Sequence, residues 1–368
     1  MSLARDLIDR IFHPDRDVHA IPVLDGGFSP NQRLEQAALL AAFDAPDAAV
    51  VGTDGRLYVS SGTAVFVCAG PRFDDRRVLA DVGAPAGALA VAPDGRLLVC
   101  VAGRGVCALD AVGAVAGWLE AAGGAPIRCP TAVAVAADGT IFVTDGSRHN
   151  RSDQWLQDLM QGRPGSGRLI AAGRDLADAR VLADGLAWPA GVAVTHDEAG
   201  LFVSEAWTHR LSLFPRGGGK ARVLVKNFAG YPCRISRGRH ADYWLAFFAL
   251  RTQLTEFVLR EDGFRRKMMA VVEPDLWIGP SLGGRFDYRE PTQIGRIKKL
   301  GIQKPWAPAR SYGLVARLDE GGAALESLHS RAAGTLHGVT AAIEHEGRLL
   351  VVSKGHGRLA EAPLGRPN

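Results

Sequence analysis

The sequence predicts an all-β protein: a six-bladed β-propeller with an N-terminal arm and helical lid insertions. Three observations carry that prediction. A two-strand unit recurs six times, its turn often contains Asp-Gly, and most copies are followed by two further strand-like runs. The copies are DAAVVGTDGRLYVS from Asp47, GALAVAPDGRLLVC from Gly87, TAVAVAADGTIFVT from Thr131, AGVAVTHDEAGLFVS from Ala190, CRISRGRHADYWLA from Cys233 and VTAAIEHEGRLLVV from Val339. Asp-Gly between two apolar runs is a hairpin signal. Four strands per unit, repeated about every 40 residues, is the pattern of propeller blades. An irregular β-sandwich would not keep six copies in one register.

Taken in order, residues 1–35 read as an arm that also supplies a ring-closing strand, and residues 36–368 as the propeller. SLARDLIDRIF (2–12) is amphipathic with mixed charge, which suits a short packing helix better than a membrane-surface one. The last repeat offers only two or three strands after Val339, and an open sheet edge invites aggregation. A strand from the other end of the chain should therefore close the ring, and VHAIPVL (18–24) is the expected one. Two insertions break the spacing, at about 146–166 and 249–311. The first is expected to hold a short helix with Ser152 as its N-cap. The second carries TQLTEFVL, FRRKMMAVV and a basic run over 296–310, read as a solvated lid surface. Both join the second strand of a blade to its third. In a propeller those connections lie on the same face as the leading tips of the first strands. The insertions should therefore roof the central tunnel, with the Asp-Gly turns as scaffolding on the opposite face.

Composition narrows the function. A net charge of +4 over 368 residues does not suggest a nucleic-acid partner. No apolar run reaches the ~18–20 residues that would span a bilayer. The charged N-terminus lacks the apolar core of a secretion signal, so a cytoplasmic location is expected. Cys68, Cys100, Cys107, Cys129 and Cys233 are odd in number and form no CxxC, against a disulfide framework or a zinc site. No cofactor is expected.

Several stretches resemble one family: IFVTDGS (141–147), LMQGRPGSGRLI (159–170), VLADGLAWPAGVAVTHDEAGLFVSE (181–205), GYPCRIS (230–236), KPWAPARSYGLVARLD (304–319) and IEHEGRLLVV (343–352). On these the chain resembles the strictosidine synthase-like branch of the six-bladed propellers, related to gluconolactonases and paraoxonases. The resemblance implies chemistry at the leading tips of the first strands. In the calcium-dependent members those tips give Glu, Asn and Asp to a metal. Here Ala190 stands where Asn is expected after Trp188-Pro189, and Cys233-Arg234 where Asp-Asn is expected after Tyr231-Pro232. The first tip, often Glu, is Asp47. Gly87, Thr131 and Val339 complete the expected tips, and Thr340 aligns with the glutamate of the plant Pictet–Spengler enzymes. The resemblance thus implies the fold, while its metal positions are lost and a metal-independent protein is expected.

The candidate catalytic residues are Asp145 and Glu205, which end the second strands of blades three and four on the lid side, and His337, before the last tip. Each has a structural alternative: the acids can tie neighbouring loops, and the histidine can be a hydrogen-bonded loop residue. The candidate substrate-binding residues are Asp47, Arg234, Trp188, Tyr231, Cys233 and Phe247. Arg234 could hold a carboxylate or pair with Asp47. Cys233 could be a nucleophile or an inert buried thiol. The expected ligand is a small molecule, anionic or apolar-aromatic. Two functions stay open. One is a metal-independent hydrolase or lyase acting on a lactone, ester or alkaloid-like substrate. The other is a non-catalytic binding protein that keeps the family pocket without its chemistry.

Overall fold

The computed structural model describes residues 20–70, 72–283, 297–299, 302–304, 311–332 and 334–364. Six four-stranded antiparallel sheets form the ring. Their first strands are Pro46–Val51, Ala86–Val91, Pro130–Val135, Pro189–Val194, Gly230–Arg237 and Val339–His345. Each first strand packs against the first strands of the two neighbouring blades, so the six line the axis. Their cores are small: Ala48, Ala88, Ala90, Ala132, Val192 and Ala341 are buried there. Larger side chains such as Phe142, Phe202, Trp244 and Phe247 fill the space between and behind the sheets.

The hairpin turns behave as their sequence requires. Asp54 Oδ1 accepts the Arg56 N–H at 3.0 Å, and Asp138 Oδ1 the Thr140 N–H at 2.9 Å. The following Gly55 and Gly139 take φ of +74° and +88°, a region glycine enters without penalty.

Ring closure differs from expectation. The fourth strand of blade six is Ala38–Ala42, paired antiparallel with Arg358–Ala362. Residues 20–24 hold no strand, and 18–19 lie outside the described residues. Pro22 lacks the N–H a strand would donate. ALLAA is composed of good helix formers, so its strand conformation is imposed by the open edge of blade six. A turn over Arg33–Gln36 sets it up, with Leu34 fully buried and Glu35 accepting from Ser330, Arg331 and Thr335. The closing strand therefore belongs to the propeller rather than to the 1–35 arm. The expected helix over 2–12 lies outside the described residues.

The first insertion begins with a 3-10 turn at Ser152–Gln154 and continues as helix α1, Trp155–Gln161. Ser152 is the first residue of that turn and not its cap; Arg151 precedes it, and its N–H is taken by Gln154 Oε1 at 3.1 Å. The second insertion gives α2, Gln253–Arg260, and α3, Asp262–Val271. Thr252 caps α2 by accepting the Thr255 N–H at 3.1 Å. Of the basic run 296–310, a backbone ribbon pairing Ile297–Lys299 with Ile302–Lys304 is described; the rest lies outside the described residues. No helix among the described residues is long and apolar enough to cross a membrane.

Candidate functional site

The first strands do not enter the sheets smoothly. Pairing slips between Pro46 and Ala48, Pro130 and Ala132, Pro189 and Gly191, and Val339 and Ala341. The skipped residues are Asp47, Thr131, Ala190 and Thr340. Longer irregularities cover Gly87 and Ala88 in blade two and Cys233 and Arg234 in blade five. A bulge frees one residue from the ladder and re-aims its side chain. Here the bulges turn six tips toward one cavity on the axis, lined by Asp47, Gly87, Thr131, Ala190, Cys233, Arg234 and Thr340. In blade six the tip is Thr340; the expected Val339 pairs with Ser353. Ser152, Asp153, Trp155 and Leu282 join the lining from the two insertions, so both roof the tip side as expected.

The cavity measures about 100 Å³. Trp155, Trp188 and Phe248 wall it. Trp155 meets Phe248 edge-on at 5.2 Å, and Trp188 stacks on Trp207 at 5.1 Å. Trp188 holds φ +55°, the conformation that Gly338 takes at +58° at the same place in blade six. For a bulky residue this costs on the order of 1 kcal/mol or more, and the stack on Trp207 helps hold it.

A three-member charge cluster forms the floor. Arg234 Nη2 binds Asp47 Oδ1, and Nη1 donates to the Asp47 carbonyl at 2.8 Å. Lys354 Nζ donates to Asp47 Oδ2 at 2.5 Å, and Thr340 Oγ1 to the Asp47 carbonyl at 2.6 Å. Burial alone would raise the Asp47 carboxyl, but Arg234 and Lys354 outweigh it and hold the pKa at about 2. Arg234 Nε is buried without a hydrogen-bond partner. Asp153, the other carboxylate on the wall, is held by its neighbour Arg151 at 3.0 and 2.6 Å. Cys233 lies beside Arg234, yet burial dominates and pushes its thiol above the ordinary value, which disfavours a nucleophilic thiolate.

The expected catalytic residues do not line this cavity. Asp145 is fully buried; Oδ1 accepts the Cys129 N–H at 2.9 Å and Oδ2 binds Arg168. Burial raises its carboxyl against the pull of Arg168. Glu205 repeats the arrangement one blade on. Its Oε2 accepts the Ala187 N–H at 2.8 Å, and Arg210 grips both oxygens at 2.6 and 2.9 Å. Both acids therefore clamp the loop leading into the first strand of their own blade. His337 Nδ1 meets the Gly334 carbonyl at 2.8 Å, and its ring stacks on His356. Two expected wall residues are also displaced. Tyr231 is fully buried behind the wall, stacked on Phe248. Phe247 packs with Phe28 and Phe228 in the blade-five core, and Phe248, one residue on and so on the other face of the strand, lines the cavity instead. Asp47, Arg234, Trp188 and Cys233 are on the lining as expected.

Lys354 lines the cavity and is not among the residues expected from the sequence. It follows Ser353, which pairs with Val339 as Asp145 pairs with Pro130 and Glu205 with Pro189. Extending the repeat alignment one residue past the second strands would have placed Lys354 at the lid-side rim.

Comparison with known proteins agrees with this architecture. The family model described as Strictosidine synthase matches residues 131–214, and that described as Strictosidine synthase-like, N-terminal, matches 26–63. Among curated proteins, STRICTOSIDINE SYNTHASE-LIKE 6 of Arabidopsis thaliana is 30% identical over 51% of this chain and 50% of its own length. The chain thus spans about half of that relative. Adipocyte plasma membrane-associated protein of Salmo salar is 25% identical over 94% of this chain and 83% of its own. Among solved structures, a gluconolactonase from Xanthomonas campestris superimposes with TM-score 0.59 at 17% identity, over 89% of both chains. The calcium-binding protein regucalcin of Agrobacterium tumefaciens does so at TM-score 0.55 and 12% identity, over 90% of this chain and 97% of its own. At such identities the structural likeness concerns the fold alone.

The residues present do not fit a calcium ion at the tips. Calcium takes about six to eight oxygen ligands. The tips give one carboxylate, and cationic side chains hold both its oxygens. Among the described residues no three His, Cys, Asp or Glu side chains converge on a metal-sized site.

Proposed function

We propose, from the premise that this chain belongs to the strictosidine synthase-like six-bladed propellers, that it binds a small organic molecule in the roofed cavity at the tips of its first strands. One observation carries this reading: Trp155, Trp188 and Phe248 wall a cavity whose floor is a charged cluster of Asp47, Arg234 and Lys354. Apolar walls with few placed polar groups are the usual make-up of a ligand site. A volume of about 100 Å³ suits a molecule of roughly one ring.

Binding is favoured over hydrolase or lyase chemistry because the groups that would act as acid and base, Asp145, Glu205 and His337, are engaged off the cavity wall. Asp47 does face the cavity, but its depressed pKa makes it a weak base near neutrality. The test is a melting-temperature and calorimetric screen of single-ring acids, alcohols, amines, lactones and esters, with product analysis for the last two. A ligand of the native state raises the melting temperature, and Trp188→Ala should remove the rise. Turnover of a lactone or ester would restore the hydrolase reading; no response from any class would reject the cavity as a ligand site.

A further inference from the structure

The wall itself carries two carboxylates, Asp47 and Asp153, and two cations, Arg234 and Lys354; a positive surplus arises once Arg151, which pairs with Asp153 from outside the lining, is counted. Asp153 is neutralised by Arg151. On the floor one carboxylate, Asp47, faces two cations, Arg234 and Lys354. The surplus is one positive charge at a part-buried site, where an opposite charge is attracted more strongly than in open water.

The two cations are held differently. Arg234 is fixed by the carboxylate and the backbone carbonyl of Asp47, and its side chain is 16% exposed. Lys354 touches Asp47 through a single Nζ contact and is 33% exposed. An ammonium has three donors, so two remain without a partner among the described residues. The surplus charge and the spare donors thus fall on the same group, on the lining that also carries Trp155 and Trp188. The Arg234 Nε–H, buried without a partner, is a further unmet donor of the cluster.

We infer that the cavity is a receptor for a single-ring aromatic monocarboxylate, with Lys354 taking the carboxylate and Asp47 acting as the anchor that keeps both cations in place. This rests on the binding reading above and adds the ligand's charge and the residue that selects it. A monoanion brings the floor to neutrality. A cationic amine would add to the surplus, and a dianion would overshoot it.

The experiment measures calorimetric affinities of benzoate, phenylacetate, benzyl alcohol, benzylamine and inorganic phosphate for the full chain, then repeats them for Lys354→Met and Lys354→Gln. Melting curves establish that each variant is folded, and whichever is folded carries the test. The two carboxylates should bind the unaltered protein most tightly, and added salt should weaken them. Loss of one charge-assisted hydrogen bond should cut carboxylate affinity roughly ten- to hundred-fold while benzyl alcohol changes little. Benzylamine or phosphate binding as tightly as benzoate would overturn the assignment of charge while leaving the cavity a ligand site. So would unchanged benzoate affinity in a folded Lys354 variant. Failure of every compound, the neutral alcohol included, would instead count against the cavity reading itself.

Discussion

Two kinds of buried carboxylate–arginine pair stand at and beside the first-strand tips, and they differ in where the partner comes from. In blades three and four, Asp145 and Glu205 take their arginines from the adjoining strand of the same sheet. Asp145 lies opposite Arg168 in register, and Glu205 opposite Arg210. Each also binds a backbone N–H just before its own first strand. Such a clamp is local, repeats with the blade and leaves no spare charge. Asp47 instead draws Arg234 from blade five and Lys354 from blade six, 187 and 307 residues away. That cluster exists only once the ring is closed, and it carries one cation too many. Repetition marks the scaffold, and the departure from it at the bulged tips marks the site.

The comparison breaks most visibly at Asp145. Asp145→Ala strands Arg168, which is 1% exposed, without its carboxylate. Removing one partner of a buried pair costs about 3–5 kcal/mol. Urea unfolding should show that loss, with ligand affinity in the surviving folded fraction unchanged. A variant that folds with full stability yet no longer binds ligand would move Asp145 from scaffold to site.

The same contrast explains what could be read from the chain. Six hairpins in one register predicted the blades and the lid face, because each depends on contacts within about 15 residues. The closing strand was missed because Ala38–Ala42 has no strand propensity of its own and pairs only when Arg358–Ala362 arrives. Asp145 and Glu205 could be read either as catalytic acids or as loop ties, because an acid at a strand end does not name its partner, and the register that sets Arg168 and Arg210 opposite them comes with the fold. Phe247 and Phe248 are both buried, and sequence order does not say which face of a strand turns to the axis. Lys354 was missed because its partner lies at the other end of the chain.

Acid should test the Asp47 cluster next. Its carboxyl is held at about 2, below the ordinary 3.8. A folded-state pKa below the unfolded one contributes stability that is present above the ordinary carboxylate range and is lost as pH falls through the folded value. The shift is worth about 2 kcal/mol. Stability should therefore decline from about pH 4 toward pH 2, and Asp47→Asn should be weaker at neutral pH and lose that part of the acid dependence. An unchanged acid profile in the variant would mean that Arg234 and Lys354 do not depend on this carboxylate.

A smaller effect is expected where the roof meets the ring. The Leu282 carbonyl rests where a side chain on Gly338 or Gly355 would collide with it, and Ser311 Oγ donates to it at 2.6 Å. At the other end of this strap, Gly279 lies against Leu156 and Met160 of α1, each 2.8 Å from where its Cβ would be. Gly355→Ala should lift the strap at a cost of at least about 1 kcal/mol, because its Cβ would meet the backbone carbonyls of Leu282 and His337. Ligand association and dissociation should both quicken, as read by stopped-flow tryptophan fluorescence. Unchanged rates would mean that entry does not pass beneath Leu282.

The smallest stability change belongs to Lys354, and its smallness separates the two kinds of pair most sharply. Lys354 is a third exposed and Arg234 continues to hold Asp47 in its absence. An ion pair at that degree of exposure is worth up to about 1 kcal/mol, so Lys354→Met should barely move the unfolding midpoint at neutral pH. It should still raise the Asp47 pKa, because one of the two cations that depress it is gone. The acid decline then still begins at about pH 4 but ends at a higher pH and is smaller. A clamp residue would show the reverse, a large loss at neutral pH with no effect on ligand. If Lys354→Met unfolds the protein as readily as Asp145→Ala, Lys354 is part of the scaffold and the distinction between the two kinds of pair fails.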